Sequence, residues 1–292
     1  MNHHTPLSLG FSPCPNDTYI FHALVHGLVT GAPEFAPICL EDVETLNQWA
    51  LQSRLDVSKL SFHALGHVLE DYVLLPAGAA LGRGCGPLLV AREQLDPAEL
   101  PGKRVALPGR YTTAAMLLGL FAPACLPAAG SDLPANLRLL RFDRIMPALV
   151  AGEIDAGVII HESRFTYRQR GLKLLVDLGA WWEEMSGLPI PLGGIAARRS
   201  LGQEKLTAIA DAIRHSLAQA RRNPAGAMEY IRRHAGELDN EVMRAHIDLY
   251  VNDFSYELGA EGKQAITEFI RRGRQAGILP ASNQRLLLDK RG

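Results

Sequence analysis

No two of the four cysteines, Cys14, Cys39, Cys85 and Cys125, stand close enough to form a CxxC pair. That spacing argues against a zinc site or a thioredoxin-like redox centre, and scattered thiols suit a reducing cytosol. The chain lacks an excess of either charge: 30 Lys and Arg face 31 Asp and Glu, for a net charge of -1. A nucleic acid partner, which needs a basic surface, is therefore not expected. Nor does any run reach the ~18 apolar residues that a membrane span requires, so no membrane partner is expected either. The opening MNHHTPLSLGFSPCP has no basic segment followed by a long apolar one, so it does not read as a signal peptide. There is no GxxxxGK[ST] phosphate loop, and LGRGCGP does not resemble one. Internal repeats and low-complexity segments are missing, as is any feature that would set an oligomeric state.

What the chain does contain is the alternation of short apolar runs with helical patterns that marks an α/β protein. Strands are predicted at residues 7–11, 34–40, 57–61, 72–76, 87–91, 103–107, 137–142, 157–160, 172–177 and 192–198. Helices are predicted at residues 18–29 with Asp17 as N-cap, from Asp42 through about Gln52, at 62–70, from about Thr112, and through Val150. From about Gln203 onward the pattern is helical, with Leu206, Ile209, Ile213 and Leu217 at core-facing spacing. Asn223-Pro224 ends one helix and starts the next, and the tail LLLDKRG reads as a fraying end. This order implies two lobes with a cleft between them. Residues 1–88 and 192–292 form the first, and 89–191 are inserted as the second. Crossover strands near Leu88–Ala91 and Leu192–Ala196 would permit hinge closure on a ligand.

His161 is the leading candidate for chemistry. It ends the apolar run GVII, at the carboxyl end of a strand, where α/β folds expose side chains to ligands. Imidazole titrates near neutrality and suits a general base; the plainer reading is a histidine that caps a helix or satisfies a backbone group. His3 and His4 are read as terminal, whereas His22, His26, His63, His67, His215, His234 and His246 fall in helical patterns where structural roles are commoner. Thr112 and Thr113, at a helix start after Gly109-Arg110-Tyr111, combine free N–H groups with hydroxyls and fit a carboxylate; ordinary N-capping is the simpler role. Lys59, Leu60 and Ser61 end a strand and offer backbone groups, a hydroxyl and a cation; a solvated lysine and a capping serine explain them as well. The loop from Ser12 through Asn16 and Asp17, stiffened by two prolines, reads as ligand-facing. Cys14 lies in it without a neighbouring histidine. Trp181 and Trp182 have the surface to stack on an aromatic substrate but more often pack in cores. No metal-ligand spacing is present, and neither a metal nor an organic cofactor is expected.

The segments LGFSPCPNDTYIFHALVHG, LEDVETLN, DVSKLSFHAL, GRGCGPLLVAR, PGRYTTA, AGVIIHESRFTY, DLGAWWEE and YVNDFS together resemble the 1,4-dihydroxy-6-naphthoate synthases of the futalosine route to menaquinone. The resemblance implies an α/β fold of the type 2 periplasmic-binding-protein kind, used by a cytoplasmic enzyme. It implies a small-molecule substrate, cyclic dehypoxanthine futalosine, and a lyase reaction giving 1,4-dihydroxy-6-naphthoate and dihydroxyacetone. The proton acceptor carries over to His161, and substrate contacts carry over to Lys59, Leu60, Ser61, Thr112 and Thr113. Two alternatives share the fold: chorismate dehydratase of the same pathway, and a non-enzymatic solute-binding protein.

Overall fold

The computed structural model describes residues 5–235 and 239–288; His3, His4 and residues 289–292 of the tail lie outside them. The chain opens with β1 (Leu7–Phe11), α1 (Pro15–Val25), β2 (Phe35–Leu40), α2 (Val43–Leu51), β3 (Val57–Ser61), α3 (Phe62–His67) and β4 (Tyr72–Leu74). There follow β5 (Ala80–Gly82), β6 (Leu88–Ala91), β7 (Val105–Leu107), α4 (Thr113–Phe121), β8 (Leu137–Leu139) and α5 (Phe142–Val150). Next come β9 (Ala156–Ile159), α6 (Ser163–Thr166), β10 (Lys173–Asp177), α7 (Leu178–Ser186) and β11 (Ile190–Arg198). The rest is helical: α8 (Gly202–Arg222), α9 (Pro224–His234), α10 (Asn240–Tyr250), α11 (Asp253–Tyr256) and α12 (Gly259–Gln275).

Tertiary contacts divide the chain into two compact units. One comprises Met1–Ala80, Gly193–Ala260 and Ser282–Gly292; the other comprises Leu81–Leu192 and Glu261–Ala281. The sequence reading grouped the whole C-terminal tail with the first unit. Residues 261–281 instead pack with the second, because their apolar face meets side chains there. Phe269 stands edge-on to Trp182 at 5.2 Å, and Gly273 lies against Met116, leaving no room for a Cβ.

The first unit carries a sheet of order β2-β1-β3-β11-β4. β1 runs parallel to β2 and β3, while β11 is antiparallel to β3 and β4. Leu9, Phe11 and Val57 of its strands are buried against Ile20 and Phe21 of α1 and Ile209, Ile213 and Leu217 of α8. The helical spacing read from Leu206 to Leu217 therefore marks a real buried stripe. The second unit carries a sheet of order β10-β6-β9-β7-β8, in which β7 is parallel to β8 and β9 and β6 is antiparallel to β9 and β10. Ile145 and Leu149 of α5 are buried with Val90, Ala106 and Ile159 of this sheet. The two units repeat one topology: a strand-helix-strand-helix-strand run, β1 to β3 and again β7 to β9, with the second strand outermost and the first in the middle. The sequence betrays no such repeat, since only the pattern of elements is shared.

Several boundaries differ from the sequence reading for local reasons. The first helix starts at Pro15, not Thr18, because proline's fixed φ is suited to the first helical position. Asp17 is thus the third residue of α1, and Cys14 holds the cap position. Phe142 opens α5 instead of closing a strand. Of the tail, Leu286 and Leu288 do not fray: the Leu74 N–H donates to the Leu286 carbonyl and the Leu288 N–H to the Leu74 carbonyl.

Candidate active site

In the first unit β1 and β3 are parallel neighbours, with Leu9 opposite Val57 and Gly10 opposite Ser58. Their carboxyl ends therefore open on the same sheet edge, where α/β folds hold ligands. The structure brings the Ser12–Asp17 loop and Lys59 together there. The Asp17 carboxylate, buried in the first turn of α1, accepts from the Ser12 N–H (3.2 Å), the Ser12 hydroxyl (2.7 Å) and Asn16 Nδ2 (2.8 Å). It also pairs with the ammonium of Lys59, itself only 5% exposed. A buried carboxylate is tolerable only with such a full set of donors. Lys59 is thus neither solvated nor turned toward a free anion site; its counter-ion is Asp17. Asn16 completes the arrangement from the other side, since its Oδ1 lies 3.0 Å from Nε2 of His246 on α10. Ser61 precedes α3 but does not cap it with its side chain. Its hydroxyl accepts from Asn47 Nδ2 (3.1 Å), while its N–H donates to Asn47 Oδ1 (3.0 Å). Leu60 is buried between them and pairs with Gly194 of β11.

In the second unit β7 and β9 are parallel neighbours, pairing Val105 with Ala156 and Ala106 with Gly157. The GRYTT loop after β7 and the turn after β9 consequently leave the sheet at one edge. His161, two residues past Ile159, is half-buried and adopts a left-handed backbone with φ 57°. That conformation costs a non-glycine residue on the order of 1–3 kcal/mol and persists only where the surroundings impose it. The turn is closed by the Arg164 N–H donating to the His161 carbonyl at 3.3 Å. The imidazole lies edge-on to Phe142, with ring centroids 5.0 Å apart. His161 is not the helix cap of the plainer reading; Glu162 precedes α6.

Thr112 is the N-cap of α4, and Thr113 is its first residue. The Thr112 hydroxyl accepts from the Ala115 N–H (3.2 Å) and donates to the Gly109 carbonyl (3.0 Å). The Thr113 hydroxyl donates to the Leu192 carbonyl at 2.5 Å. Both hydroxyls thus bond to backbone, and an anion here would meet the N–H groups and dipole of the helix end.

Burial first, then Glu183, pushes the Cys85 thiol up to about 12, and burial raises that of Cys125. None of the four cysteines forms a disulfide. Trp182 is fully buried and donates to the Pro189 carbonyl (3.2 Å), while Trp181 packs edge-on against Phe121. Among the described residues no three His, Cys, Asp or Glu side chains converge as a metal would need. None of the described helices is long and apolar enough to cross a membrane. Sequence reasoning passed over Asn47, Phe142, Arg164 and Asp177, and it placed His246 only among the histidines with structural roles. Membership of the quoted motifs alone hinted at Asn47, Arg164 and Asp177, because their partners lie elsewhere in the chain.

A family model described as menaquinone biosynthesis matches residues 7–275. A Thermus thermophilus protein named 1,4-dihydroxy-6-naphtoate synthase is 50% identical over 282 residues, covering 97% of this chain and 99% of its own. A Streptomyces coelicolor protein of the same name is 45% identical, covering 94% of this chain and 95% of its own. A crystal structure of an Archaeoglobus fulgidus protein superposes with TM-score 0.85 at 36% identity, covering 95% of this chain and all of that one. The alkanesulfonate-binding protein of Xanthomonas axonopodis superposes at TM-score 0.67 with 14% identity, covering 99% of this chain and 97% of its own. That likeness shows the fold alone: an α/β periplasmic-binding-protein type built on two sheets.

Proposed function

This chain belongs to the menaquinone biosynthesis family, and on that premise we propose that it is a carbon–carbon lyase converting cyclic dehypoxanthine futalosine to 1,4-dihydroxy-6-naphthoate and dihydroxyacetone. The observation that carries the chemistry is His161: a half-buried imidazole at the carboxyl end of β9, held in a left-handed backbone. The reaction begins with removal of a proton next to a carbonyl, which imidazole can take near neutral pH. The electron pair moves toward the carbonyl oxygen as an enolate. Carbon–carbon cleavage follows, driven by aromatisation of the ring. This sequence transfers protons and rearranges bonds without net oxidation, so it calls for no redox cofactor.

The other assignments follow from what each group has left to offer. The N-terminus of α4, at Thr112 and Thr113, holds the substrate carboxylate through backbone N–H groups. Lys59 and Asp17 neutralise each other, so they shape the backbone of Leu60 and Ser61 and the Asn16 loop that meet the substrate. The enzyme works in the cytoplasm, as the biosynthetic reading of its relatives supports.

Two variants test the base. His161→Asn keeps a residue that tolerates left-handed backbone, and His161→Ala removes the ring. With folding intact, each should lower turnover by about two to four orders of magnitude. Turnover by either within about tenfold of wild type, in the range of an ordinary non-essential contact, removes His161 from the role.

A further inference from the structure

The glycine-rich LGRGCGP and the DLGAWWEE segment carry no chemistry of their own, yet the structure joins them at the base of the His161 turn. Strand β6 runs antiparallel to both its neighbours, and Leu88 at its start pairs with Ile159 on one side and Asp177 on the other. The start of β6 and the ends of β9 and β10 therefore share one sheet edge. His161 leaves from this edge two residues after Ile159.

Arg164 spans it. One guanidinium nitrogen donates to the Gly86 carbonyl at 2.5 Å, and another donates to the Asp177 carboxylate at 2.9 Å. Both side chains of the ion pair are largely shielded, 16% and 22% exposed, so solvent screens it less than a surface pair. The second carboxylate oxygen of Asp177 accepts from the Gly179 and Ala180 N–H groups, both at 3.0 Å, and so caps α7. Beside them Gly86 and Gly179 pack backbone to backbone, and the Leu178 N–H donates to the Pro87 carbonyl at 3.0 Å. A Cβ on Gly86 would fall 2.3 Å from the Gly179 Cα. Meanwhile the Arg164 N–H holds the His161 carbonyl. A planar fork that satisfies a carbonyl and a carboxylate at once is a role lysine does not fill.

We propose that Arg164 is a positioning residue for His161, its guanidinium fastening the turn that begins at His161 to Gly86 and to Asp177. The proposal rests on the reading of His161 as base. A left-handed residue needs surroundings that impose its conformation, and this three-way junction supplies them from outside the turn. Arg164 itself takes no proton and touches no reacting atom; it sets where the imidazole stands.

The test is a set of four single variants of the full chain and one double, assayed with cyclic dehypoxanthine futalosine, with the folded fraction measured for each. Arg164→Ala should lower kcat on the order of a hundredfold while KM stays near wild type, since misplacing a catalytic group by about an ångström has that cost. Arg164→Lys should recover only a small part, and added guanidinium ion should restore part of the Arg164→Ala rate. Asp177→Asn keeps the oxygen that caps α7 but loses the ion pair; should Arg164→Ala fail to fold, this milder change still reports, and its kcat should fall. His161→Asn separates the two readings. In that background Arg164→Ala should add no further loss, because there is no base left to position. Wild-type kcat in both Arg164→Ala and Asp177→Asn overturns the proposal alone, as does a loss that persists undiminished in the His161→Asn background. An active His161→Asn overturns the base assignment and the proposal with it.

Discussion

The ring of His246 lies 3.0 Å from the side-chain oxygen of Asn16, a hydrogen bond across 230 residues of chain. It ties α10 to the first turn of α1, and through Asn16 Nδ2 it reaches Asp17 and then Lys59. Because every member is buried, the network behaves as a unit. Replacing His246 with Leu strands the Asn16 oxygen and should cost about 1–3 kcal/mol of stability. His246→Gln, which can still donate to that oxygen, should recover part of it. Urea titrations of the two variants decide the matter, and equal losses would mean that packing alone counts.

The Lys59–Asp17 pair invites a second measurement. Removing one partner of a buried pair leaves a charge behind and typically costs about 3–5 kcal/mol. Lys59→Met should fall near the lower end, since Asp17 keeps its three other donors. The double variant Lys59→Met with Asp17→Asn should lose less than the sum of the two single changes. Additive losses in denaturant midpoints would show that the two side chains act separately.

Thr112 and Thr113 should separate by readout. Thr112 caps α4, so Thr112→Ala should cost about 1 kcal/mol, with Thr112→Ser restoring most of it. The pair of changes Thr112→Val and Thr113→Val removes the hydroxyls that fasten this helix end to the Gly109 and Leu192 carbonyls, so the N–H groups that hold the carboxylate lose their fixed placement and binding of the naphthoate product should weaken. Unchanged affinity by titration calorimetry would show that these hydroxyls do not set that placement.

Stability should fall in mild acid. Burial, then His26, lowers the pKa of His22; burial, then Arg233 and His26, lowers that of His234. Their rings gather around Tyr230, with centroids 5.8 Å and 4.6 Å from it. The folded state thus prefers both neutral, while the unfolded chain takes up protons near the ordinary value of 6.5. Stability from this source is complete above that value and is lost as the pH falls below it, because there the unfolded chain binds more protons. Urea midpoints measured from about pH 8 down to pH 5 should decline in wild type and flatten in a His22→Asn, His234→Asn variant. Parallel profiles would locate the acid sensitivity elsewhere.

Much of this architecture was legible along the chain. The limits of β1 and β3 coincide with their apolar runs, Asp42 caps α2 as read, and the stripe from Leu206 to Leu217 is buried. Local patterns carried these, since periodicity and capping are properties of adjacent residues. What escaped depended on partners elsewhere. Asp17 looked like a cap because its sequence fits one, but Pro15 had already started the helix. The strand β5, three residues of Ala-Leu-Gly, has too little β-forming character to stand out. The place of His161 at a strand end is legible in the sequence, whereas Arg164, bonded to a carbonyl 78 residues away, leaves no local mark.

The repeated topology of the two units has a further consequence. In each, a cationic or basic side chain belongs to the third strand of the run or its exit, Lys59 within β3 in one and His161 two residues past β9 in the other. One was sealed behind a carboxylate and the other left half-open on a kinked backbone. On the proposed reading, the unit with the sealed charge is structural at this place, and the unit with the half-open ring handles protons. An engineer wishing to move the chemistry would begin not with new folds but by unsealing the silent copy.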